Sequence, residues 1–230
     1  MPRKYCLLAV LLLLAPGRLI LAAAETTRDF TVWEREVAAF EVQDRASPPP
    51  KGAVLFIGSS TIRMWTTLAA DFPDYPVINR GFGGTQIVDA THFADRLVFP
   101  HEPRAVFLRS GGNDLHAGKS AAQVFADFQE FVGVIHARLP AAKIWYISLC
   151  PTIARWSEAD ASKQLNALIE DYAKHTPYVN YIDTWAMSLD AEGVARPELF
   201  RDDKLHFSAA GYKLLIKLVR PYLPAAMGKK

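Results

Sequence analysis

The sequence predicts a three-layer α/β/α sandwich built on a mostly parallel five-stranded sheet. Three observations point there. Short apolar runs of strand length recur along the chain, segments with helical periodicity separate them, and half of the 230 residues are apolar (50%) against 22% charged. Strands that alternate with helices are joined by right-handed crossovers, so the strands run parallel and helices cover both faces. No internal repeat and no second linker is visible, which favours a single domain.

Taken in order, residues 1–24 read as an export signal rather than as part of that sandwich. Arg3 and Lys4 precede an apolar run over residues 6–14, Pro16-Gly17-Arg18 interrupts it, and Ala22-Ala23-Ala24 supplies small residues for cleavage before Glu25. The apolar stretch falls short of the roughly 20 residues that span a bilayer. A periplasmic or secreted protein without a stable membrane anchor is the expectation. Loss of this segment removes Arg3, Lys4 and Arg18, leaving 23 basic residues against 24 acidic ones. The basic excess therefore belongs to the leader, and composition gives no reason to expect a nucleic-acid partner. Cys6 leaves too, so Cys150 remains without an intramolecular partner.

In residues 25–50, Phe30, Trp33, Val37 and Phe40 recur three or four apart, the stripe of an amphipathic helix over 28–43. Ser47-Pro48-Pro49-Pro50 ends it and links it to the main domain, 51–230. There, strand-length runs fall at 53–57, 76–78, 105–108, 144–149 and 179–182. Helical patterns lie between and after them at 62–71, 86–98, 120–138, 158–175 and 208–223.

Ligands of such sheets bind beyond the carboxyl ends of the strands, so the residues there are the ones to inspect. After the first strand comes Gly58-Ser59-Ser60-Thr61. A serine in that turn can present its hydroxyl and its backbone N–H at one spot, although Gly-Ser-Ser also serves as a plain tight turn and helix cap. After the second comes Arg80-Gly81-Phe82-Gly83-Gly84-Thr85. Its glycines let backbone N–H groups approach a ligand, but the spacing fits neither a dinucleotide fingerprint nor a phosphate loop. The third runs into Ser110-Gly111-Gly112-Asn113-Asp114, where an Asn amide can serve as a neutral donor or an ordinary turn former. Near the C-terminus, Asp203 and His206 stand three apart, able to set a carboxylate against one imidazole nitrogen and leave the other for a serine. No His pair at i and i+4 and no cysteine cluster suggests a metal site.

In this order, Gly58-Ser59-Ser60, Asn79-Arg80-Gly81-Phe82-Gly83-Gly84, Gly111-Gly112-Asn113-Asp114 and Asp203-Lys204-Leu205-His206 resemble the four blocks of the SGNH, or GDSL-type, esterase and lipase superfamily. The likeness spans about 53 to 223 and implies the flavodoxin-like fold of that superfamily. It implies Ser60 as nucleophile, Asp203 and His206 as its acid and base partners, and Ser60, Gly84 and Asn113 as oxyanion donors. Ser59 stands where the family has Asp, which makes it the rival nucleophile. An α/β-hydrolase shares the Ser, Asp, His order, but its Gly-x-Ser-x-Gly elbow is absent because Ile62 replaces the second glycine.

The expected chemistry is acyl transfer to water through an acyl-enzyme, without metal or organic cofactor. Arg63, Trp65, His116, Arg155 and Trp156 are candidates for contacts with a small-molecule or polysaccharide ester, and Arg155-Trp156 suits a sugar ring or a negative group. No long lid insertion separates the blocks, which favours short acyl groups. A short-chain or acetyl esterase on carbohydrate esters leads, ahead of a lysophospholipase or thioesterase and of a non-catalytic carbohydrate-binding relative.

Overall fold

Five apolar runs become five strands in a computed structural model that describes residues 28–228: β1 (Val54–Gly58), β2 (Val77–Gly81), β3 (Ala105–Arg109), β4 (Lys143–Ile147) and β5 (Val179–Ile182). The leader expected over 1–24 lies outside the described residues. The strands form one sheet in the order β2-β1-β3-β4-β5, and every adjacent pair is parallel.

Around the sheet lie α1 (Glu34–Ala46), α2 (Ser60–Arg63), α3 (Leu68–Asp71), α4 (Ile87–His92), α5 (Ala94–Leu97), α6 (Gly112–His116), α7 (Ala121–Arg138), α8 (Ala159–His175), α9 (Ala209–Val219) and α10 (Leu223–Ala226). Two expected helices are broken. The pattern over 62–71 yields α2 and α3 because the Asn79 amide takes the Ile62 and Trp65 carbonyls, at 2.7 and 3.2 Å, and draws the chain out of a regular helix. The pattern over 86–98 is divided at Phe93, whose ring turns into the core. The helix expected over 28–43 starts later, after a 3-10 turn at Thr31–Trp33, and α6 is a short helix that periodicity did not reveal.

Alternate residues of each strand face opposite sides. Leu55 and Ile57 of β1 join a core with Val37 of α1, Ile87 of α4, Phe128 and Phe131 of α7, and Leu165 and Ile169 of α8. Val54 and Phe56 join the other, with Ile62, Leu68, and Leu215 and Val219 of α9. The connection from β1 to β2 moves one way across the sheet and passes over the second face. The three later connections move the other way and pass over the first, as a single handedness of crossover requires. Among the described residues the two cores hold the fold without a disulfide, since Cys150 is free, each buried Leu, Ile or Phe contributing on the order of 1.5–3 kcal/mol.

The strand order reverses direction between β1 and β3, which creates a crevice at their carboxyl ends. All four sequence blocks meet at that crevice.

Candidate active site

The turn after β1 is tight because glycine begins it. Gly58 has φ +143°, and a Cβ there would lie 2.1 Å from the Arg109 carbonyl oxygen on β3, so no other residue fits without displacing the strand. Ser59 N–H donates to that same carbonyl (3.2 Å), and the Ser59 carbonyl accepts from Ile62 and Arg63. Ser59 is thus the cap residue of α2 and Ser60 its first helical residue. The N–H of a first helical residue has no partner within its own helix, so Ser60 brings both a hydroxyl and a free donor to the crevice.

The glycine block closes against this turn. A Cβ on Gly81 would lie 2.1 Å from Arg63 N, so β2 can meet the α2 backbone only through glycine. Asn79 fixes the contact, accepting from Gly81 N–H (2.9 Å) while its amide holds α2. Gly84 then turns with φ +77°, and the space where its Cβ would stand is open. From outside the block, Trp33 Nε1–H donates to the Gly83 carbonyl at 2.9 Å.

Beyond β3, the Asn113 amide nitrogen donates to the Thr85 carbonyl (2.9 Å), tying the third block to the second. Its oxygen accepts from Arg155 Nη1 (3.0 Å), which also donates to the Gly112 carbonyl (3.1 Å). Asp114 is buried and accepts from Ile87 N–H at 3.1 Å, and burial pushes its carboxyl up to about 6. It fixes the start of α4 and faces away from the crevice lining.

The fourth block sits on a loop closed by the Phe200–Phe207 bridge and by Arg201 N–H donating to the His206 carbonyl (2.8 Å). Lys204 takes the left-handed conformation (φ +58°), a strained choice for a residue with a side chain, and so folds Asp203 back under His206. Asp203 Oδ2 meets His206 Nδ1 at 2.7 Å, and Ser60 Oγ lies 3.0 Å from Nε2. The hydrogen bond from His206, together with the backbone N–H groups of His206 and Leu205, holds the Asp203 carboxyl well below the usual carboxylate range. Facing a carboxylate, Nδ1 carries the ring proton, and Nε2 is left to accept from the serine hydroxyl. Ser208 accepts from Gly211 N–H (3.3 Å) and starts α9, which anchors the loop two residues after the imidazole.

A model of the GDSL-like lipase/acylhydrolase family matches residues 52–214, which include every block just described. The chain belongs to that family. No curated protein sequence matches it. Among solved structures, it is similar to a GDSL-like lipase from Bacteroides thetaiotaomicron, with 19% identity and a TM-score of 0.70 over 86% of this chain and 100% of that one. It is also similar to an acetylxylan esterase from Geobacillus stearothermophilus, with 16% identity and a TM-score of 0.59 over 79% and 96% of the two chains. An acetyl esterase solved with an acetate ion gives 18% identity and a TM-score of 0.61 over 76% and 97%. These likenesses show the SGNH fold, and the family model identifies a carboxylic ester hydrolase.

In this GDSL-family chain the crevice encloses about 540 Å³. Ser60, Gly84, Asn113, Asp203 and His206 all line it, and so does Ser59, but Ser60 is the serine that meets the imidazole. Arg63 and Arg155 line it as well. The other expected substrate contacts are elsewhere. Trp65 is buried in the second core, at 1% exposure, with Phe56 and Phe72 against its ring and its N–H donating to Asp71. Its neighbour in sequence faces the crevice, but the end of α2 turns Trp65 the other way. His116 lies outside the lining and pairs with Glu158, which is in it, at 2.7 Å. Trp156 is half exposed and also outside the lining, because the 3-10 turn at Trp156–Glu158 points Arg155 and Glu158 inward and the indole out.

Sequence reasoning missed Arg109, a buried guanidinium paired with no carboxylate among the described residues. It donates to the Ser148 carbonyl, to Thr184 Oγ1 (3.3 Å) and to Cys150 Sγ (3.4 Å), and lies 5.5 Å from the centre of the Phe207 ring. Its backbone therefore holds the serine turn while its side chain braces the histidine loop. Its position as the last residue of a strand was the available signal.

Proposed function

We propose that this GDSL-family enzyme is a serine esterase that removes short acyl groups, acetyl foremost, from carbohydrate esters. The observation that carries the reading is the continuous hydrogen-bonded chain from Ser60 through His206 to Asp203, opening into a crevice of mixed polar and apolar lining. In the first step His206 Nε2 takes the Ser60 proton as Oγ attacks the ester carbonyl, and the carbonyl π electrons move onto its oxygen. Ser60 N–H, Gly84 N–H and the Asn113 amide stabilise that oxyanion. Its collapse expels the alcohol, which receives the proton from His206, and water repeats the sequence to release the acid. Asp203 keeps the tautomer and steadies the imidazolium throughout.

For the alcohol part, support comes from the wall after β4, where Glu158 and Ser162 offer carboxylate and hydroxyl groups suited to sugar hydroxyls. The solved relatives described as an acetylxylan esterase and an acetyl esterase point the same way. The deciding measurement is turnover of nitrophenyl esters from C2 to C12 beside acetylated xylooligosaccharides and lysophospholipids. A maximum at C2 with release of acetate from the oligosaccharide is expected. A maximum at C8 or longer, with lysophospholipid cleavage, replaces this reading by a lipid acylhydrolase. The leader-like residues 1–24 support action outside the cytoplasm, and a mature N-terminus other than Glu25 on exported protein would count against that cleavage site.

A further inference from the structure

We propose that Trp33 and Arg155 are positioning residues that hold two oxyanion donors in place, each by donating to the oxygen end of the donor's own amide. This rests on the assignment of Gly84 N–H and Asn113 Nδ2 as oxyanion donors.

The Gly83 carbonyl and the Gly84 N–H belong to one planar trans peptide, so they point in opposite directions. Trp33 Nε1–H holds the oxygen end of that plane at 2.9 Å, on the side of α1. The N–H end is thereby turned away from Trp33, and Gly84 lines the crevice with no side chain to obstruct it. Trp33 is itself fixed. Its ring meets Phe82 edge-on at 6.4 Å and lies under the Arg28 guanidinium at 4.9 Å, which Asp89 clamps at 2.5 Å. An indole N–H can only donate, so this contact admits one orientation of the peptide.

The second amide repeats the arrangement with a side chain. Arg155 Nη1 donates to Asn113 Oδ1 at 3.0 Å, and one Nδ2 hydrogen goes to the Thr85 carbonyl at 2.9 Å. With the oxygen end held by a cation, the amide cannot reverse, and its second Nδ2 hydrogen remains for the crevice. The loop carrying Arg155 is tied to the triad loop, since Ala154 N–H donates to the Lys204 carbonyl at 3.1 Å. A hydrogen bond to an amide oxygen also draws electron density from its nitrogen and strengthens the N–H as a donor. Both residues thus act on the same charge. Trp33 does so from outside the crevice lining and outside the span that matches the family model.

The test compares Trp33→Phe, which keeps an aromatic ring and loses the indole N–H, with Arg155→Met and Arg155→Lys, on nitrophenyl acetate and on an acetylated sugar. Trp33→Phe and Arg155→Met should each lower kcat roughly threefold to tenfold, the range for loss of one hydrogen bond, with KM within about twofold. Affinity for a boronic acid, whose serine adduct presents a tetrahedral oxygen to the donors, should fall by the same factor as kcat. Arg155→Lys should recover most of the loss. In Asn113→Ala, the further change Arg155→Met should cost nothing more. Losses confined to KM, or to one alcohol group, overturn the inference and make Arg155 a substrate contact. An additive loss in the double variant overturns the route through Asn113, and unchanged kcat in Trp33→Phe overturns the route through Gly83. If Asn113→Ala itself leaves kcat unchanged, the oxyanion assignment fails, a result distinguishable from the others.

Discussion

Two aspartates belong to the sequence blocks of this site, and the chain treats them oppositely. Asp203 leaves nearly half of its side-chain surface exposed, yet three hydrogen bonds reach its carboxylate and hold its proton affinity down. Asp114 is wholly buried, accepts one backbone N–H on Oδ1 and keeps an unpartnered Oδ2, and burial raises it to about 6. The same residue type is thus a fixed negative charge in one loop and a group near neutrality's edge in the other. Hydrogen bonds to the charged form decide the first case and desolvation the second. In the proposed mechanism the exposed carboxylate serves chemistry, and the buried one serves the shape of the turn.

The sharpest break in this contrast comes from the group that Asp203 serves. Ser60→Ala should abolish turnover and covalent labelling by an organophosphonate, and labelling that persists would move the nucleophile to Ser59. Asp203→Asn should lower kcat by roughly four orders of magnitude, the scale seen when a triad loses its carboxylate, with little change in melting temperature. A large loss of stability in that variant would erase the distinction between the two aspartates. Asn113→Ala should lower kcat by roughly 10²–10³, the cost of one oxyanion donor, as measured under saturating substrate.

Asp114→Asn should show the smallest effect on turnover and a different signature. Its folded carboxyl binds a proton more tightly than the ordinary value of 3.8, so its burial costs nothing at low pH and destabilises the fold as pH rises from about 4 to about 6. The asparagine variant keeps an oxygen for Ile87 N–H and removes that cost. Its stability relative to the parent should therefore rise with pH across this window, by up to about 3 kcal/mol for a shift of this size. Urea denaturation at pH 4, 5, 6 and 7 measures it, and parallel curves for the two proteins would refute the burial account.

What could be read from the sequence was position along the chain. Ser60, Gly84 and Asn113 follow apolar runs and His206 precedes a helix, and the resemblance of the four blocks to the SGNH superfamily implied that they meet at one sheet edge. Side-chain direction was the part that stayed hidden. Trp65 and Trp156 sit beside crevice residues in sequence, but one turns into the core just past the end of α2 and the other toward solvent at the start of a 3-10 turn, where successive side chains stand about 120° apart. Cross-chain contacts were hidden for the same reason. Nothing in the spacing of Phe30, Trp33, Val37 and Phe40 tells that one member of a core stripe spends its N–H on a carbonyl 50 residues away.

That contact also changes what counts as the enzyme. The stretch that matches the family model begins at residue 52, and a chain trimmed to it would retain all four blocks and every residue of the hydrogen-bonded triad. It would lose α1, and with it the only indole that reaches the glycine loop among the described residues. The family match and the hydrogen-bonded network around the crevice therefore have different borders here. The segment ahead of the first strand lies outside the family match, yet one of its side chains holds the peptide that shapes the crevice.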